Sequence, residues 1–192
     1  MAANHQTHKP FSDKLAFVLN NPIRRTLYPP ERLIATLDLG PNDVVVDFGC
    51  GPGFYLIPLA KVASKAIGID VSTRMLEQAA HHAKKAKVKV ELLQNDGTKI
   101  RLPNDSVNLI MLVHVFHEVN DKRTVLNEFR RILKPGGRLA IVEKTRADRI
   151  SPIAFGPPTV DEKTAVQEIQ QAGFGFMQAI PRGKDSIIMC VK

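Results

Sequence analysis

From Asp43 onward the chain alternates short β-branched runs with segments of helical period: VVVDF, LIPLAKVA, KAIGID, STRMLEQAAHHAKKA and VKVELLQ follow one another closely. Strands that alternate with helices are joined by crossovers, and crossovers build a parallel sheet with helices on its faces. The nearly unbroken apolar run SVNLIMLV suits a strand covered on both sides. DKRTVLNEFRRIL reads as the next helix, Pro135-Gly136-Gly137 as a turn and RLAIVEK as a further strand. After a proline-rich connection, Ser151 to Pro158, a helix is expected from Asp161 to Ala172, ended by Gly173. The last residues, GFMQAIPRGKDSIIMCVK, read as two strands joined by a Pro181-Arg182-Gly183 turn, an antiparallel hairpin at the sheet edge. The fold class expected is therefore α/β, a doubly wound, mostly parallel sheet with a C-terminal antiparallel hairpin.

Ahead of the sheet, Pro29-Pro30-Glu31 introduces a helix over ERLIATLDL, with proline in its first turn and Gly40-Pro41 closing it. Asp13 to Leu19 is expected to form a short helix, and residues 1–10 a polar, disordered tail. The 192 residues suit one core and are short for two. The expected organisation is a tail (1–10) and a single domain (11–192), made of a helical flank or lid (11–40) and a core (41–192). The N-terminus has no apolar signal region, and no segment reaches the roughly 18 apolar residues of a membrane span, so a cytosolic protein without a membrane partner is expected. Cys50 and Cys190 stand far apart among apolar neighbours, which fits reduced buried thiols better than a disulfide or a metal site.

The motif with the most chemistry is VVVDFGCGPGFY, Val44 to Tyr55. Gly49, Gly51 and Gly53 follow a strand directly and precede a helical segment, so the backbone can turn sharply there and a ligand can approach it closely. A dinucleotide site of G-x-G-x-x-G type needs glycine at position 54, where Phe54 stands, and a P-loop needs a closing Gly-Lys-Ser/Thr that is absent. Asp47, just before the turn, favours a ligand with positive charge. Asp70 ends the next strand, where a carboxylate can accept from two vicinal hydroxyls, while Ser72 stands ready to cap the helix that follows. Asp96 can accept from an exocyclic amine and the Gly97 amide can donate to a ring nitrogen; an ordinary turn is the less favoured alternative.

These residues resemble the class I S-adenosylmethionine-dependent methyltransferases, particularly the "type 11" group similar to ubiquinone/menaquinone-biosynthesis enzymes. The resemblance runs from about Pro29 to Lys144. Asp47-Phe-Gly49-Cys-Gly51-Pro-Gly53 looks like the family's first motif, Asp70 like its ribose-binding acid, Asn95-Asp96-Gly97 like its adenine edge, and Leu133-Lys134-Pro135-Gly136-Gly137 like its turn before the fifth strand. The resemblance implies a Rossmann-like fold, S-adenosylmethionine as cofactor and S-adenosylhomocysteine as product. It places Asp47, Gly49, Gly51, Gly53, Asp70, Val71, Met75, Asp96, Gly97 and His114 along the cofactor.

For the acceptor, the segment LVHVFHEV at the end of the fourth strand offers His114, His117 and Glu118, where doubly wound folds open their crevice. His117 is the candidate general base; Glu118, Glu143, Lys144 and Tyr28 are candidate acceptor-lining residues. The order H-x-x-H-E matches no zinc-protease motif, and no metal is assigned. The net charge of +8 is concentrated in Lys84, Lys85, Lys87 and Lys89 and in Arg130, Arg131 and Lys134, both at helix ends, without the aromatic interleaving of a strand-tracking groove. Amino-group and cytosine-carbon nucleic-acid enzymes of the family carry motifs absent here, arsenite methylation wants more thiolates, and the short region after Lys144 argues against a bulky prenylated quinone. The expected reaction is methyl transfer to a small-molecule acceptor by in-line displacement. An RNA methyltransferase and a cofactor-binding module without activity are the alternatives.

Overall fold

The computed structural model describes residues 29–146 and 158–192. The expected tail, the helix at Asp13 to Leu19, Tyr28 and the connection through residue 157 lie outside the described residues. Seven strands form one sheet in the order β3-β2-β1-β4-β5-β7-β6. They are β1 (Val44–Phe48), β2 (Lys65–Asp70), β3 (Glu91–Gln94), β4 (Val107–Val113), β5 (Leu133–Lys144), β6 (Gly175–Arg182) and β7 (Asp185–Val191). β1 to β5 pair parallel, and β7 pairs antiparallel with both β5 and β6. The Rossmann-like α/β architecture with a terminal hairpin is thus present. The strand order reverses between β1 and β4, and a crevice opens beyond the carboxyl ends of strands at such a point.

Because successive side chains of a strand point to opposite faces, each central strand feeds two hydrophobic layers. Val46, Phe48, Ile110, Leu112, Leu139, Ile141 and Ile188 pack on one side. They meet α4 (Lys122–Ile132) and α5 (Glu162–Gln171) there, with Phe48 edge-on to Phe129 at 4.9 Å between ring centroids. Val45, Leu109, Met111, Ala140, Val142 and Ile187 pack on the other. That side is covered by α1 (Pro30–Ala35), α2 (Leu56–Leu59) and α3 (Thr73–Ala86). Ser72, Asp121 and Asp161 cap α3, α4 and α5 by accepting from the amides of Met75, Thr124 and Thr164. Cys50 and Cys190 are both buried free thiols, and burial pushes Cys190 up to about 11. No helix among the described residues is long and apolar enough to cross a membrane.

Three boundaries differ from the sequence expectation. The flank helix stops at Ala35 rather than Leu39, because the Thr36 hydroxyl bonds back to the Leu33 carbonyl at 2.6 Å and Asp38 takes a left-handed conformation, φ 46°. The glycine turn continues as turns to Tyr55, so α2 keeps only four residues of LIPLAKVA. The hairpin turns at Gly183-Lys184, not at Pro181-Arg182-Gly183: Arg182 still pairs with Asp185 and Pro181 with Ser186. Pro181 is tolerated because β6 is the edge strand, where the missing N–H faces no partner. Pro135-Gly136-Gly137 forms an irregularity inside β5, where the register jumps from Val107 opposite Leu133 to Leu109 opposite Arg138.

Candidate functional site

The glycine turn leaves β1 at the switch point and is held from several sides. The amides of Gly49 and Cys50 both donate to the Ile69 carbonyl, at 2.8 and 3.0 Å, and the Gly53 amide donates to Cys50 at 3.0 Å. All three glycines sit at positive φ, 72°, 51° and 90°, which explains the residue type. Their surroundings differ. A side chain on Gly49 would drive into Val115, so this glycine lets the chain pack on itself, whereas one on Gly53 would meet Ile57 and Ala79 only at ordinary contact distances of 3.4 and 3.5 Å. Around Gly51 nothing lies within 4 Å of such an atom. The middle glycine therefore faces open space.

Two carboxylates flank this opening. Asp70 Oδ2 accepts from the Gly51 amide at 2.8 Å, and Oδ1 accepts from the Ser72 amide at 2.9 Å, so the end of β2 is tied to the turn. Asp47 is 2% exposed; its carboxylate accepts from the Leu56 amide, while Oδ2 has no partner. Burial, reinforced by the charge of Asp70, pushes Asp47 up to about 7 against the Leu56 hydrogen bond. A buried carboxylate with an unused oxygen is suited to a cationic group brought by a ligand. Phe54, at the position where a dinucleotide site needs glycine, is buried edge-on to Tyr55.

Val71 follows Asp70 and is an exposed apolar side chain, whereas Met75 is buried on the first turn of α3. Asp96 is exposed after β3. Its Oδ1 accepts from the Thr98 amide and hydroxyl, which hold the carboxyl below its usual range. The Gly97 amide donates to Asn95 Oδ1 at 2.7 Å, and a side chain there would meet the Phe48 ring. Sequence reading did not single out His82, whose Nδ1 lies 2.8 Å from the Pro52 carbonyl within the glycine turn. Its spacing from Ala79 and Met75 on α3 was the available signal.

Beyond β4 the chain bends at His114, φ 56°, whose amide donates to the Val142 carbonyl at 2.8 Å. The bend leads into a single 3-10 turn, Phe116–Glu118, that buries Phe116 in the core and swings His117 towards β5. His117 Nδ1 is 2.9 Å from Glu143 Oε2, and its amide donates to Glu143 Oε1 at 3.2 Å. Glu143 is fully buried, and Glu118 Oε1 stands 3.8 Å from His117 Nε2. Burial acts to lower the His117 pKa, but the hydrogen bond and charge of Glu143, with Glu118, outweigh it and the nearby Lys122, so the ring is held above its ordinary value. His114 Nε2 is buried 3.2 Å from Asp185 Oδ2, out of line for a hydrogen bond. Ser186 and Thr145 share a hydroxyl contact of 2.9 Å beside them. Asp185 and Ser186 arrive through the β5–β7 pairing, which places them opposite Lys144 and Glu143. That register carries no local sequence signal.

Residues 46–141, half of the chain, match the model of the methyltransferase domain family. A solved S-adenosylmethionine-dependent methyltransferase from Aquifex aeolicus superposes with TM-score 0.85 at 29% identity, covering 94% of this chain and 98% of that one. Phosphoethanolamine N-methyltransferase 3 of Arabidopsis thaliana is 28% identical across 82% of this chain and 36% of its own length. The 27-O-demethylrifamycin SV methyltransferase of Amycolatopsis mediterranei is 32% identical across 58% of this chain and 42% of its own. The chain thus spans well under half the length of these two curated relatives. A turn open at its middle glycine, a buried carboxylate with an unused oxygen and a second carboxylate at the next strand end could accommodate a ligand that carries an ammonium group and a ribose. On the domain match and the shared fold, the chain belongs to the class I S-adenosylmethionine-dependent methyltransferases of the type 11 family.

Proposed function

We propose that the chain methylates a small-molecule acceptor by in-line displacement, with the acceptor entering over the carboxyl ends of β4 and β5 and His117 serving as general base. The observation that carries this reading is the seating of His117 on Glu143 in the segment that leaves β4, the strand next to the glycine turn's own strand. The bound cofactor supplies an electrophilic methyl group on a sulfonium sulfur. The protein's part is to hold and align the reactants, which can provide much of the acceleration of a displacement, and to take up a proton where the acceptor loses one.

Asp47 would face the amino group of the cofactor, Asp70 its ribose hydroxyls and Gly51 its closest backbone approach. Gly49 and Gly53 would support that turn from behind. Val71, Met75, Asp96, Gly97 and His114 would line the remainder, with Glu118 and Lys144 towards the acceptor. The names of two relatives, a phosphoethanolamine and a rifamycin methyltransferase, point to small molecules. The basic cluster at the end of α4 favours RNA little, because its charge serves the fold. Arg131 is bonded to Glu128, Asn104 and the carbonyls of Ile100 and Leu102, and Lys134 donates to Asn108.

A pH dependence follows from Asp47. Its folded pKa, about 7, lies above the ordinary 3.8. Between those values the fold keeps a proton that the unfolded chain has lost, so this group removes stability as pH rises through the window. A cationic ligand reverses the preference by pairing with the ionised carboxyl. Cofactor affinity is therefore expected to weaken as pH falls from 7.5 to 5.5, approaching about tenfold per unit at the acid end, and Asp47→Asn to flatten the profile. Titration calorimetry across that range checks both. For the acceptor, the chain is incubated with isotopically labelled cofactor and a metabolite extract to which RNA has been added. Label in the low-molecular-weight fraction is expected; label confined to RNA or protein contradicts the reading.

A further inference from the structure

His82 stands on the face of α3 that runs along the glycine turn. Met75, Ala79 and His82 follow one another at helical spacing, so their side chains lie one above the next on that face. Ala79 is fully buried beneath Gly53, its Cβ 3.5 Å from where a Gly53 side chain would begin, and a residue this small lets α3 come close to the turn. One helical turn further on, His82 Nδ1 reaches the Pro52 carbonyl at 2.8 Å. A carbonyl only accepts, so the proton in this contact belongs to Nδ1. Both ends of the Pro52–Gly53 peptide unit are thereby pinned. Its N–H donates to the Cys50 carbonyl at 3.0 Å, and its oxygen accepts from His82. The preceding unit, Gly51–Pro52, has no N–H of its own to anchor it. Gly51, the open glycine of the turn, is therefore set from both sides: Asp70 holds its amide, and His82 holds the peptide that follows Pro52.

We infer that His82 is a positioning residue for cofactor binding, which fixes the Pro52–Gly53 peptide so that the backbone at Gly51 has the ligand-binding shape before the ligand arrives. The role rests on the proposed cofactor site at this turn and adds to it a side chain that acts on the ligand through the turn. Asp70 cannot do this alone. Its bond to the Gly51 amide leaves rotation about the Cα–C bond of Gly51 unrestrained, and glycine has the widest choice of backbone conformations. The bond from His82 removes that freedom from the other side of Pro52. A turn that samples several shapes binds with an affinity reduced by the fraction of time it spends in the competent one. The anchor is also well placed for rigidity: α3 has 14 residues, is capped by Ser72 and ends in a left-handed Lys87, so His82 projects from a regular element and not from another loop.

The test compares His82→Leu with His82→Asn in the full chain, by titration calorimetry with S-adenosylhomocysteine beside thermal unfolding of the unbound proteins. Leucine and asparagine have nearly the same shape, and only asparagine can put an N–H where Nδ1 stood. Affinity is expected to fall about 3- to 10-fold in His82→Leu, as for one lost hydrogen bond, and to stay within about twofold of the unaltered chain in His82→Asn. A bond that only supports the fold would lower the unfolding midpoint and leave the affinity of the folded chain alone. Equal affinity in all three chains therefore overturns the inference, whatever the midpoints, and so does equal weakening in both variants. If His82→Leu does not fold, His82→Phe, which keeps a ring there without a donor, takes its place with the same expected loss. Nuclear magnetic resonance of isotope-labelled histidine imidazoles, with His82→Asn identifying the signal, is expected to show His82 as the Nδ1–H tautomer when neutral. An Nε2–H tautomer overturns the inference without recourse to any variant's affinity. Absence of binding by the unaltered chain at high micromolar ligand is a separate failure, that of the cofactor site itself, and takes the role of His82 with it.

Discussion

Gly51→Val is expected to abolish measurable cofactor binding in a chain that remains folded. Gly51 lies at φ 51°, where a β-branched side chain is strained, and its amide donates to Asp70 at 2.8 Å. The strain costs roughly 1–2 kcal/mol, enough to lower the unfolding midpoint without removing the fold. No protein atom lies within 4 Å of the added carbon, so the new side chain meets nothing until a ligand arrives. Affinity should fall by about 100-fold or more, some 3 kcal/mol. Titration calorimetry beside thermal unfolding separates the two effects. Gly49→Ala gives the opposite pattern, because its side chain strikes Val115 in the protein itself. Its main loss is expected in stability.

Asp70→Ala removes an acceptor that serves the Gly51 and Ser72 amides and that, on the proposed reading, would also accept from the ribose of the cofactor. Loss of a charge-assisted hydrogen bond of this kind costs about 1–3 kcal/mol, roughly 5- to 150-fold in affinity. Asp70 also contributes to the raised pKa of Asp47. Asp70→Asn should therefore shift the acid limb of the cofactor-binding profile to lower pH while weakening binding less than alanine does. An Asp70→Ala chain that binds as tightly as the unaltered protein removes Asp70 from the ribose role.

The sheet and the glycine turn were legible because their signals are local. VVVDF and KAIGID carry the β-branched residues that define strands, and each places an acid at its end or one residue before it, Asp70 and Asp47. The alternation of elements implied parallel pairing, and Ser72 announced the start of α3 as its cap. Boundaries set by single side-chain bonds or by φ were not legible. Thr36 ends α1 early, and the hairpin turn moved by two residues because an edge strand accepts Pro181. The sequence singled out His117 and Glu143 separately. Their contact depends on a left-handed bend at His114 and on a separation of 26 residues, neither of which leaves a local pattern. Asp185 reaches His114 only through the β5–β7 register. The division of labour among the three glycines also needed the neighbours Val115 and Ala79, which come from other elements.

The turn from Asp47 to Gly53, closed by Asp70, is the proposed place of cofactor binding. Calorimetric titration of the purified chain with S-adenosylhomocysteine, with Gly51→Val and Asp70→Ala alongside, tests this most directly. The predicted result is one saturable site in the unaltered chain, lost in the first variant and weakened in the second, while both stay folded. Binding of equal strength in all three chains, or no binding by the unaltered chain at high micromolar ligand, would contradict it.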